Sequence, residues 1–268
     1  MIRLPAILFP GDARKALRTY QQEVDAVPAY ADRVEAADRL FHRRNKSSNP
    51  VFRAVRATLS KMCAGARRCC YCEDSLADEV EHIRPKNLYP GSAFRWSNYL
   101  YACGPCNGPK NNQYAVLSCK TNKLIDVTRR SKDPVRPPKA GIQALIDPRR
   151  ENPQEFMELD LIDTFFFVPT ADDGTQEYLR AEYTIGVLRL NRDLLPVARK
   201  NAFGSYKARL HEYMVKKTDG TDEKVLTILA RGIRTLEHPS VWVEMKRQRV
   251  LHPELTKLFA DTPEALDW

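Results

Sequence analysis

Over residues 12–63 the apolar positions recur at the period of an α-helix. Asp12 stands as a cap ahead of Leu17, Tyr20 and Val24, and Val34, Ala37 and Phe41 repeat the spacing, which predicts two amphipathic helices. Asn49 followed by Pro50 predicts the start of a third, an N-cap with proline in the first turn. Its apolar stripe is Val51, Phe52, Val55, Leu59 and Met62, while Arg53, Arg56 and Lys61 fall elsewhere. The stripe is assigned to packing and the basic residues to a candidate binding face.

From Arg67 to about Leu124 the periodicity gives way to short apolar pieces broken by Cys, Gly, Pro and Asn. Residues 128–140 (TRRSKDPVRPPKA) carry three prolines and little apolar content, the mark of a loop or linker. Residues 156–161 and 164–168 read as strands, with Asp173-Gly174 as a turn ahead of a further strand-like piece at 177–179. Helix returns at 183–190, then from Asp193 onward with Phe203, Tyr206, Leu210 and Tyr213, then behind a Thr221 cap with Val225, Ile228, Leu229 and Ile233. The expected fold class is α+β, mainly helical. It divides into an N-terminal helical region at 1–65, a chemical segment at 66–125, a linker and small β region at 126–180, and a C-terminal helical region at 181–268.

At 268 residues, 43% hydrophobic and 29% charged, the chain has material for one large or two small domains, and disordered or collagen-like classes are excluded. Its longest apolar runs, at 4–9 and 164–168, fall far short of the roughly 18–20 residues needed to cross a bilayer. A cytoplasmic protein without membrane association is expected. The net charge is +9, and nine basic residues between Arg39 and Arg68, with no acidic residue among them, equal the whole excess. Positive charge concentrated in this way suits a polyanionic partner such as nucleic acid.

Seven cysteines, at 63, 69, 70, 72, 103, 106 and 119, point to a reduced compartment and metal-binding thiolates rather than a disulfide scaffold. Cys69-x-x-Cys72 and Cys103-x-x-Cys106 are two knuckles with 30 residues between them. Each tight turn presents two sulfurs, so together they complete a tetrahedral site for Zn²⁺ and pin two chain segments to each other. Arg67 and Arg68 are expected to offset the charge of four thiolates. Cys70 is read as a free thiol, and Cys63 and Cys119 as buried or idle.

Between the knuckles lie Glu81-His82-Ile83-Arg84-Pro85-Lys86 and then Phe94-Arg95-Trp96-Ser97-Asn98, and the second knuckle runs into Asn107-Gly108-Pro109-Lys110. In this order the segment from Cys69 to Lys110 resembles the HNH, or ββα-metal, nuclease family. Its pattern is an acidic residue and His on a first strand, Asn at a second, and CNxxK opening a helix. The resemblance implies a zinc-stapled ββα core in which Glu81 and Asn107 ligate one catalytic Mg²⁺ or Mn²⁺, His82 is the general base and Asn98 orients its imidazole. Glu81 stands where the family more often has Asp, and Asn107 where many members have a second His. Arg84, Lys86 and Lys110 are candidate phosphate contacts, together with Arg53, Arg56, Arg67 and Arg68, and Lys110 has a structural reading as well.

The wider set CCYCE, VEHIRPK, FRWSNYLYAC and CNGPK, with LIDPRRENPQEFMELD and NRDLLP behind it, resembles the HNH proteins of Septu-type and retron-associated bacterial defence systems. That resemblance implies phage defence beside an ATPase partner. The expected function is a metal-dependent endonuclease, with DNA as the default substrate and RNA open. The competing reading is a non-catalytic zinc-containing nucleic-acid-binding or adaptor protein, which would not need His82, Asn98 and Asn107 in this order.

Overall fold

Asn49 caps its helix as the local sequence requires: its side-chain oxygen accepts from the backbone N–H groups of Val51 at 2.9 Å and Phe52 at 3.4 Å. In the computed structural model, which describes residues 1–268, this is α3 (Pro50–Ser60), preceded by α1 (Gly11–Asp25) and α2 (Tyr30–Arg44). Phe52, Val55, Leu59 and Met62 of the expected stripe are buried, and Val51 is half-buried. Asn49→Ala is expected to lower unfolding stability by about 1 kcal/mol in denaturant titration. Unchanged stability would show that the two cap bonds contribute nothing. Asp12 makes no cap bond, since Pro10 precedes the first turn of α1, and its carboxylate acts there only through its charge near the helix start.

The three helices pack on each other, and α3 lies against a two-stranded antiparallel hairpin. That hairpin consists of β1 (Glu79–His82) and β2 (Tyr99–Ala102), with Glu81 opposite Leu100 and His82 opposite Tyr99. The short helix α4 (Gly104–Lys110) follows β2 directly. Next come β3 (Ala115–Leu117), β4 (Leu124–Asp126) and β5 (Ile142–Gln143) in the order β4-β3-β5, then the pair β6 (Met157–Leu159) and β7 (Phe167–Pro169). Five further helices complete the chain: α5 (Gln176–Val187), α6 (Leu194–Thr218), α7 (Glu223–Arg234), α8 (Pro239–Arg247) and α9 (Pro253–Asp261). The class is α+β, and no helix is long and apolar enough to cross a membrane.

Two local expectations are corrected. Residues 177–179 are the first turn of α5, capped by Thr175, whose hydroxyl accepts from the Tyr178 N–H. Three residues are too few to separate a period of 2 from one of 3.6. In α7 the cap is Asp222 rather than Thr221, and the inward positions are Leu226 and Ile233 while Val225 and Ile228 face out.

One continuous core of 55 buried residues runs from Met1 to Ala265, so the hairpin shares its packing with both helical ends of the chain. The fully buried Arg199 of α6 is part of that junction. It donates to the carbonyls of Phe165 and Leu190, and its guanidinium lies over the Phe167 ring.

Candidate active site and metal centre

The first knuckle turns just before β1 and the second spans the end of β2 and the start of α4, so the pairing of the two strands brings all four sulfurs together. Sγ atoms of Cys69, Cys72, Cys103 and Cys106 all lie within 4.8 Å of one another, and all four residues are buried. Cys72 and Cys103 are 3.8 Å apart, and Zn–S bonds of about 2.3 Å in a tetrahedron require sulfur separations of about 3.8 Å. The backbone N–H groups of Tyr71 and Cys103 donate to Cys69 Sγ, which leaves that sulfur suited to carry charge. This cluster could hold zinc.

The charge on the cluster is met from a distant part of the chain. Arg192, between α5 and α6, donates to Cys106 Sγ at 3.5 Å. Arg68 instead pairs with Glu237 at 2.9 Å, and Arg67 lies over the Tyr101 ring. The expectation that Arg67 and Arg68 supply the offset is therefore corrected: both are engaged elsewhere, and Arg192 is the contact. Cys63 and Cys70 stand outside the quartet with their sulfurs 3.8 Å apart, and Cys119 is exposed.

On the same hairpin, His82 is buried and its Nε2 lies 2.9 Å from the Ala93 carbonyl oxygen. A carbonyl only accepts, so Nε2 carries the proton and Nδ1, which has no protein partner, is the lone-pair position. Burial, reinforced by the Lys86 charge, pushes the imidazole down to about 3, so it is neutral at ordinary pH. The Tyr99 hydroxyl donates to the same carbonyl at 2.7 Å, and the rings of Phe41 and Tyr99 pack edge-on against the imidazole.

Asn98 does not reach His82, which corrects its expected role. Its Oδ1 accepts from the Arg84 N–H at 2.8 Å, and its Nδ2 donates to the carbonyls of Arg84 and Ser92, each at 3.0 Å. It therefore ties the residues after β1 to the segment that carries Ala93, and the imidazole is held by a backbone carbonyl instead of an amide side chain.

A cleft of about 460 Å³ opens beside His82, with Glu79, Glu81 and Asn107 in its wall and Asn45, Arg56 and Lys86 around it. Asn107 donates through Nδ2 to Glu79 Oε2 at 2.6 Å. Glu81 is buried in an ion pair with Lys110, which also donates to the His82 carbonyl at 2.9 Å. Burial pushes the Glu81 carboxyl up, and the Lys110 charge opposes it. Glu79 was not singled out in the sequence, although it lies two residues before Glu81 and so on the same face of the strand.

Of the expected phosphate contacts, Arg56 and Lys86 line this cleft. Lys86 is partly engaged by Asp38 at 3.1 Å, and Arg56 donates to Asn45. Lys110 is corrected: it is fully buried and holds Glu81 and β1, out of reach of a bound phosphate. Arg84 faces away from the cleft, bonded to Gln143 and lying over Tyr89, and Arg53 donates to the Ser48 carbonyl. The basic run is also less isolated than its sequence, because Arg43 and Arg44 reach Glu23 and Arg39 reaches Glu35, as exposed pairs of small energetic weight.

No family model matches the chain. A stretch of 64 residues, 22% of this chain, is 36% identical to the Septu protein PtuB of Bacillus thuringiensis. The match covers 25% of that protein, so the likeness is confined to a minor part of both chains.

Proposed function

We propose that this protein is a metal-dependent endonuclease of the HNH type that hydrolyses phosphodiester bonds in nucleic acid, with DNA as its expected substrate. The observation that carries the reading is His82, kept neutral by burial and oriented by the Ala93 carbonyl, in a polar cleft whose wall includes Glu79, Glu81 and Asn107. Hydrolysis needs a water deprotonated near neutral pH, and a neutral imidazole with one nitrogen fixed as donor offers the other as the proton acceptor.

Glu79, Glu81 and Asn107 provide carboxylate and amide oxygen, the donor chemistry that a hard cation takes, and these residues would hold Mg²⁺ or Mn²⁺. Bound there, the cation would stabilise the negative charge that grows on the phosphorus oxygens and the leaving 3′ oxygen. Arg56 and Lys86 at the cleft are placed to attract the phosphate backbone. The four-cysteine cluster, with zinc bound, would keep β1, β2 and α4 in the register that brings these groups together.

Two observations support a role in antiphage defence: the motif resemblance to the Septu-type and retron-associated group, and the partial likeness to a Septu protein. Such a role would place the nuclease beside an ATPase partner. The test is a cleavage assay offering plasmid, single-stranded DNA and total RNA side by side, with Mg²⁺ or Mn²⁺ and with EDTA, alone and with the candidate ATPase. Cleavage abolished by EDTA is expected. Zinc-loaded protein that binds nucleic acid and cleaves none of the three, with or without the partner, would favour the non-catalytic binding reading.

A further inference from the structure

Gln21, on the inward face of α1, is buried and spends its whole amide on one segment of the hairpin connection and its own helix. Its Oε1 accepts from the Phe94 N–H at 2.9 Å, and its Nε2 donates to the Pro90 carbonyl at 3.1 Å and to Asp25 Oδ1 at 2.9 Å. The N–H of Phe94 and the carbonyl of Ala93 belong to one peptide group. Because that group is planar, a bond that fixes the direction of the N–H also fixes the direction of the C=O. The same Ala93 carbonyl receives His82 Nε2 at 2.9 Å. A chain of two hydrogen bonds through one rigid plane therefore runs from the first helix to the imidazole, and each bond polarises the next.

We infer that Gln21 is a positioning residue for His82: by gripping the Ala93–Phe94 peptide it sets the tautomer and direction of the ring from outside the hairpin. Phe41 of α2 completes the hold, with its ring centroid 4.4 Å from that of the imidazole. The N-terminal helices thus build the back wall of the pocket. This inference rests on the nuclease reading only for its effect on rate.

The test uses the full zinc-loaded chain with Gln21→Met, which fills similar volume without the hydrogen bonds. Two readouts are taken: kcat and KM for cleavage, and the histidine ring ¹H–¹⁵N signals by NMR, with His82 assigned by its absence in His82→Ala. Gln21→Met is expected to lower kcat about 10- to 100-fold, the scale of a small misplacement of a reacting group. KM and zinc content should hold, and the His82 Nε2–H signal should shift or broaden. Wild-type kcat with an unmoved His82 signal in Gln21→Met would overturn the inference. Full activity of His82→Ala would instead overturn the nuclease mechanism, while the NMR readout would still decide whether Gln21 sets the ring.

Discussion

Replacing His82 with Ala is expected to reduce cleavage by about 10²- to 10⁴-fold, the usual contribution of a positioned general base. Nucleic-acid binding and the sulfur cluster should be unaffected, because neither Arg56 nor any of the four cysteines has a hydrogen bond to the His82 side chain. The protein should survive the substitution, since the strand pairing that carries position 82 is made by backbone groups. The cavity left beside Phe41 and Tyr99 will cost stability, on the order of 1–3 kcal/mol, which thermal denaturation should register as a modest fall. The comparison is to be made by single-turnover cleavage at matched binding occupancy. Undiminished cleavage by His82→Ala would show that another group activates the water, and the cleft carboxylates, Glu79 among them, would then be the alternatives.

Cys69→Ser or Cys106→Ser is expected to have the largest effect on the fold. Structural zinc sites contribute binding energy that is also folding energy, about 10–16 kcal/mol in isolated zinc-finger peptides at neutral pH, against a total stability of about 5–15 kcal/mol for a typical domain. Here the 55-residue core carries part of the load, so the expectation is a loss of several kcal/mol, read as a fall in Tm of about 10 °C or more for a chain of this size. Metal analysis should give about one zinc per wild-type chain and none in either variant. A variant that lacks zinc yet melts with the wild type would remove the cluster from any structural role. Cleavage should be lost together with the fold, because Asn107 directly follows Cys106 and the cluster seats the start of α4.

The sequence made the four cysteines legible because metal chemistry is local: two sulfurs three residues apart on a tight turn announce themselves without tertiary information. The Asn49 cap was readable for the same reason, since cap, proline and stripe lie within a few residues. What escaped was whatever depends on the backbone or on distant partners. The imidazole's partner is the Ala93 carbonyl, and a carbonyl has no residue type that a motif could record. The guanidinium beside Cys106 comes from Arg192, 86 positions further along the chain. The basic run between Arg39 and Arg68 is partly compensated by carboxylates outside it, with Arg39, Arg43, Arg44 and Arg68 pairing with Glu23, Glu35 and Glu237. Lys110 kept two readings open in the sequence, and burial decides between them: an ammonium with no exposure and a buried carboxylate partner is part of the frame.

The most direct test of the whole account is cleavage carried out in water enriched in ¹⁸O, with the products examined by mass spectrometry. If His82 delivers a solvent water to phosphorus, each cut should leave a 3′-hydroxyl and a 5′-phosphate carrying one ¹⁸O, and His82→Ala should yield about 10²- to 10⁴-fold less of both. Ends without the heavy oxygen, or substrate left intact by the zinc-loaded, Mg²⁺-supplied protein together with its partner, would contradict it.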